Sequence, residues 1–255
     1  MPLVDTHCHL YSEEFEVDQA AVVQRAIAAG VERFYLPGID STSIPAMLEL
    51  EQKFPGKCFA MMGLHPCYVK ENYQQELMIV KDWLAKRKFA AVGEIGLDYY
   101  WDKTFAAEQV LAFRSQIEWS IDLGLPIVIH TRSAMQETID IVKQYVPKGL
   151  RGIFHCFSGS YETATEIIEA GFFLGIGGVL TYKNAGLVQV LSKIDLKHLV
   201  LETDAPYLSP VPFRGKRNES SYLKYVVEKL AEINNCSVET VAELTTANAE
   251  KIFGL

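Results

Sequence analysis

The chain alternates between two patterns, and the number of alternations limits what it can fold into. Short runs rich in Val, Ile, Leu and Phe open near Leu3, Val31, Lys57, Phe89, Leu125, Leu150, Phe172 and Lys197. Between them lie stretches long enough for a helix of several turns. A strand, a helix and a second strand in that order describe a parallel pair, because parallel neighbours need a long crossover. Eight such periods predict an α/β chain folded as a (β/α)8 TIM barrel. Glycines punctuate the periods. Gly30 ends a helical stretch from about Phe15 to Ala29 whose Val22, Val23, Ala26 and Ile27 recur at helical spacing. Gly124 ends the stretch holding Phe113, Ile117 and Ile121, and Gly171 ends that holding Ile167 and Ile168. A last amphipathic stretch, from Ser237 as N-cap to Phe253, has no strand after it. It predicts an additional C-terminal helix on the outside or base of the barrel.

The chain has 255 residues, the length of one such barrel, and no Gly/Ser/Pro-rich linker divides it. Residues 1–255 therefore read as a single domain. An apolar fraction of 49% supplies a large core, while the longest apolar runs fall short of a membrane span. Asp5 and His7 interrupt any apolar leader at the start. Five cysteines, an odd number with no CxxC pair, fit reduced thiols and a cytoplasmic protein. Strand alternation turns Cys8 away from His7 and His9, and Cys156 away from His155, so both read as structural thiols. Nothing in the pattern calls for an obligate protein partner.

Five of the six histidines sit where an apolar run gives way to a turn. They are His7 and His9 in LVDTHCHL, His65 in GLHP, His130 in LPIVIHTR and His155 in GIFHCFSG; only His198 lies outside the pattern. Two carboxylates close similar runs, Glu94 in AAVGEIGLD and Asp204 in HLVLETDAP. Ligand-type side chains gathered at one end of a parallel barrel build a metal centre. His7 and His9, two apart on a strand, face one side and can share an ion. Six ligands (His7, His9, Glu94, His130, His155 and Asp204) exceed what one tetrahedral ion takes, so two divalent ions are expected. Glu94, from the middle of the strand order, is the natural bridge. Zn, Mn, Fe or Co suit such a mixed shell, and Mg suits only a more oxygen-rich side with few protein ligands.

A net charge of -8 argues against a broad basic surface for gripping nucleic acid. The cations are nonetheless placed: Arg132, Lys183, Arg214, Lys216 and Arg217 all fall on loops at the ligand end. Tyr99, Tyr100 and Trp101 follow Glu94 and offer rings for stacking on bases.

Taken together, these stretches resemble the TatD family of metal-dependent deoxyribonucleases, within the amidohydrolase-like TIM barrels. The resemblance rests on DTHCHL, GLHP, VGEIGLDYYW, LPIVIHTRSAMQE, HCFSGS, GIGGVLTYKNA, LVLETDAPYLSP with RGKRNE, and TTANAEKIFGL, and runs from Asp5 to Leu255. It implies His7, His9, Glu94 and Asp204 around one metal, and Glu94, His130 and His155 around the other. Two positions depart from the family pattern: Tyr11, where Asp is common, and Ser220, where Pro is common.

Such a site needs no nucleophilic side chain, since paired cations acidify a water themselves. Asp204 suits ligation and proton acceptance, with Glu94 as the shared catalytic carboxylate. His65 suits contact with the scissile phosphate or leaving group. Glu202, two residues before Asp204, is either a partner behind a ligand or a ligand for a third ion. Arg132 is either a phosphate clamp or the partner of a barrel carboxylate. The leading expectation is a nuclease cleaving DNA phosphodiesters from single-stranded or exposed ends. The alternatives are an amide or ester hydrolase, including a D-aminoacyl-tRNA deacylase, and a barrel kept as a scaffold.

Overall fold

The computed structural model describes residues 2–254. Its parallel strands run in chain order: β1 Leu3–Asp5, β2 Val31–Leu36, β3 Cys58–Ala60, β4 Val92–Asp98, β5 Ile127–Arg132, β6 Gly152–Phe154, β7 Phe173–Ile176 and β8 Leu199–Leu201. β1 to β3 pair in one sheet and β4 to β8 in another. Both seams between them are bonded. Met62 bridges to Val92, with Gly93 N donating to Met62 O at 3.0 Å, and Thr6 N donates to Leu201 O at 2.9 Å. The strands thus close the predicted (β/α)8 barrel.

Helices cross over outside it: α1 Gln19–Ala28, α2 Ile44–Lys53, α3 Tyr73–Lys86, α4 Ala106–Leu123, α5 Met135–Tyr145, α6 Tyr161–Glu169, α7 Leu187–Leu191 and α8 Leu223–Asn234. α9, Val238–Phe253, is the additional C-terminal helix, and the Ser237 side chain accepts from Thr240 N as its N-cap. α1 starts later than the periodicity suggests, because a single 3-10 turn at Glu13–Phe15 precedes it.

One inward residue from each strand position forms an apolar layer: Val4, Tyr35, Met61, Ala91, Val128, Ile153, Phe173 and Val200. Ala249 and Ile252 of α9 pack beneath that layer, and Phe253 stacks on Tyr35 with ring centroids 3.7 Å apart. α9 is therefore the plug of the barrel base. Ile252 is 3% exposed; cutting such a side chain to Ala costs about 2–5 kcal/mol. The polar layer above this plug is the site.

Candidate metal centre

Alternation carries the chain from the apolar layer to the ligands. Two residues beyond inward Val128, Ile153 and Val200 stand His130, His155 and Glu202, so each faces the barrel axis. Glu94 is different. The pairing of β4 with β5 slips between Gly93 and Ile95, and this bulge turns Glu94 inward. It lies third in β4 rather than at a strand end, a correction to the sequence reading. His7 and His9 also correct it, since β1 stops at Asp5. Asp5 Oδ1 accepts from the amides of His7 (3.3 Å) and Thr203 (3.0 Å), drawing the chain out of the ladder before either histidine. Asp204 follows β8 with φ of 55°, a left-handed conformation that Asp tolerates better than most residues.

The two oxygens of Glu94 face different histidines. Oε2 lies 3.1 Å from His7 Nε2 and 3.8 Å from His9 Nε2. Oε1 lies 2.8 Å from His130 Nδ1, 3.1 Å from His155 Nε2 and 3.4 Å from His65 Nε2. Asp204 Oδ1 sits on the first side, 3.4 Å from His9 Nε2 and 3.7 Å from His7 Nε2. Three groups bring ligand atoms within 4.8 Å of one another: His7, His9 and Glu94; His7, His155 and Asp204; His65, Glu94 and His130. His65 thus stands beside the ligand groups, where the sequence reading expected contact with the scissile phosphate or leaving group.

These residues fit divalent cations. His7 is fully buried, and neither ring nitrogen makes a hydrogen bond. An unpaired buried polar atom is costly, and a cation would satisfy it. Burial opposes charge on Glu94, yet His155, His7 and His65 hold its carboxyl well below the usual range. Burial likewise opposes charge on His155, but Glu94 and Glu202 raise its pKa well above the ordinary value. His7 is pushed down by burial and by His155.

Behind the ligands stands a set of orienting groups. Asp98 Oδ2 lies 2.8 Å from His130 Nε2. Glu202 Oε1 lies 3.2 Å from His155 Nδ1 and accepts from Cys156 N at 2.6 Å. Glu202 belongs to none of the ligand groups among the described residues, and Gly175 leaves the space its carboxylate fills. Tyr11 Oη lies 3.1 Å from His9 Nδ1. Cys67 N donates to His65 Nδ1 at 3.1 Å, which leaves the proton of the neutral ring on Nε2, a donor facing the site. Asp98 and Tyr11 escaped the sequence reading as site residues. A signal for Asp98 exists: Glu94, Gly96 and Asp98 alternate on one face of β4, and Gly96 pairs opposite His130.

The remaining expected residues divide. Arg132 lines the cavity of about 600 Å3 above the metal centre, together with His65, Trp101 and Tyr207. It pairs with no carboxylate among the described residues; its guanidinium lies over the Tyr100 ring, 3.7 Å from the centroid. Lys183 and Arg214 line a neighbouring cleft of about 540 Å3, where Arg214 lies 4.4 Å over Tyr182. Leu208 lines the first cleft, and the adjacent Ser209 O accepts from Oη of Tyr182, which lines the second, at 2.9 Å. Lys216 is exposed and lines neither. Arg217 is committed elsewhere, in a two-pronged pair with Asp18 at 2.7 and 2.8 Å. Tyr99 is half-buried against the core and does not line the cavity; Trp101 takes that position. Cys8 and Cys156 have thiols that burial pushes up, well above the ordinary value for Cys8 and to about 12 for Cys156. Ser220 is buried in a 3-10 turn before α8.

A sequence model of the family described as TatD related DNase matches residues 4–254. The chain belongs to the TatD family. It is 40% identical over 252 residues to the "uncharacterized metal-dependent hydrolase YabD" of Bacillus subtilis, covering 98% of each chain. It is 29% identical to the "3'-5' ssDNA/RNA exonuclease TatD" of Erwinia tasmaniensis, covering 99% of this chain and 100% of that one. Among solved structures, the TatD homologue YjjV of Escherichia coli K12 superposes with a TM-score of 0.93 at 28% identity, covering 99% and 98% of the two chains. No helix among the described residues is long and apolar enough to cross a membrane.

Proposed function

We propose that this TatD-family metal-dependent hydrolase removes nucleotides from single-stranded ends of nucleic acid, using two divalent ions, Zn, Mn or Mg. One observation carries the reading: Glu94 divides its oxygens between two groups of histidines, the arrangement a bridging carboxylate needs. His7, His9 and Asp204 would hold one ion and His130 and His155 the other, with Glu94 shared. When bound, such a pair supplies an acidified water and neutralises charge on the attacked phosphate.

The chain's own groups do the rest. Asp204 accepts the proton of the attacking water, its carboxyl lowered, against burial, by the neighbouring His155, His7 and His9. His65 presents Nε2–H to the site, where it donates to an oxygen of the scissile phosphate. Arg132 at the rim holds a phosphate oxygen with a fork no carboxylate occupies. Asp98, Glu202 and Tyr11 hold the histidines in orientation. An acidic chain with a recessed site suits a strand end better than a duplex interior, and the single-strand exonuclease named among its relatives supports this. The unpaired cysteines fit a reducing cytoplasm.

The deciding experiment is hydrolysis by metal-reconstituted protein of 3'- and 5'-labelled single-stranded DNA, duplex DNA, RNA and aminoacyl-tRNA. Single strands should be degraded from one end and duplex slowly. Release of amino acids from tRNA with intact strands would replace the nuclease by the carbonyl-centre hydrolase. Strand affinity should fall only weakly with salt, by the equivalent of about one to three released ions, because few cations face the cleft.

A further inference from the structure

The loop from β4 to α4 presents Trp101 to the metal cavity, with Tyr100 beside it. Tyr100 is 56% and Trp101 71% exposed, and their rings stand nearly perpendicular at 4.9 Å. Neither is needed to cover the core. Their backbone is nevertheless fixed. Asp98 Oδ1 accepts from Tyr100 N at 2.9 Å and Trp101 N at 3.4 Å, while its Oδ2 faces His130. Tyr99 N donates to Arg132 O at 2.9 Å, tying the loop to β5 as well. One carboxylate thus holds both a candidate metal ligand and the exposed rings in register. Arg132 completes the arrangement, its guanidinium 3.7 Å from the Tyr100 centroid and 5.2 Å from that of Trp101. Stacking positions this cation without consuming its hydrogen-bond donors, whereas Arg25 and Arg217 spend theirs on Glu219 and Asp18.

We propose that Trp101, braced edge-on by Tyr100, forms a stacking platform for the unpaired base beside the phosphate held by Arg132. The proposal rests on the nuclease reading above and adds the specificity element to it. Every base has a flat face, so a platform of this kind tolerates sequence. What it demands is that the base be present and free. A paired terminal base is already stacked and must fray before it reaches the rings, which disfavours duplex ends, and an abasic end offers nothing to stack.

The test compares two single-stranded oligonucleotides that differ only in whether the nucleotide at the attacked end carries its base. Alanine substitution of a stacking ring weakens binding by about 5- to 150-fold per base. Native protein should therefore show a KM lower by that factor for the base-bearing strand. Trp101→Ala should bring the ratio close to one, and Trp101→Phe should keep most of it. Fluorescence anisotropy of the labelled strands with EDTA-treated protein should give the same pattern in Kd, independent of turnover. A native ratio near one would overturn the platform, as would a ratio that survives in Trp101→Ala. Native protein that neither binds nor cleaves either strand would instead remove the nuclease reading itself.

Discussion

The carboxylate of Asp98 meets the imidazole of His130 at 2.8 Å across neighbouring strands, while Glu94 holds the opposite ring nitrogen at the same distance. Burial opposes charge on Asp98, yet the His130 hydrogen bond and the Tyr100 amide bring its carboxyl down to about 2. Carboxylates placed behind metal-bound histidines typically matter 10–100-fold in affinity or activity. Asp98→Ala should weaken binding of one ion by about that factor and leave the other nearly unchanged. Chelator competition resolves the two; equal affinities in variant and native protein would show that Asp98 serves the loop alone.

Tyr11 fixes the orientation of His9. Its hydroxyl donates to Pro37 O at 2.5 Å, so toward His9 Nδ1 it accepts. That places the proton on Nδ1 and turns the Nε2 lone pair toward Asp204. Tyr11→Phe should lower affinity for the ion on that side by about tenfold or more, and Tyr11→Asp should restore it. Nitrogen NMR of His9 reads the tautomer directly; an Nε2-protonated ring in the native protein would contradict the assignment.

Stability should depend on pH through Asp5. Burial pushes its carboxyl from 3.8 up to about 6, so the fold favours the neutral acid. The benefit is complete below pH 4 and lost as pH rises through 6. Compared with Asp5→Asn, the native protein should lose about 3 kcal/mol of unfolding free energy across that window. Denaturant titrations at several pH values check this, and a constant difference between the two proteins would exclude it.

Much of this was legible before the structure. Eight apolar runs and their glycine stops carry the barrel, because repeated βαβ units have few other ways to bury both strand faces. The histidines were legible for the same reason, since a barrel gathers its strand ends. Orientation was harder to read. Glu94 points inward through a one-residue slip at Gly93–Ile95 that no hydrophobic pattern records. His7 and His9 leave the ladder because Asp5 is held by hydrogen bonds from Thr203, just past β8 and distant in sequence. The loop cations were placed at the correct end of the barrel, but Arg217 turned out to be bound to Asp18, on the loop ahead of α1. Side-chain partners of that kind have no signature in spacing.

The most direct test of the two-ion centre is metal content measured with turnover for native protein and Glu94→Ala. Native protein should hold two divalent ions per chain and hydrolyse single-stranded DNA. Glu94→Ala should keep native circular dichroism, hold at most one ion and lose hydrolysis. Near-normal turnover by that variant with two ions still bound would contradict the two-ion centre.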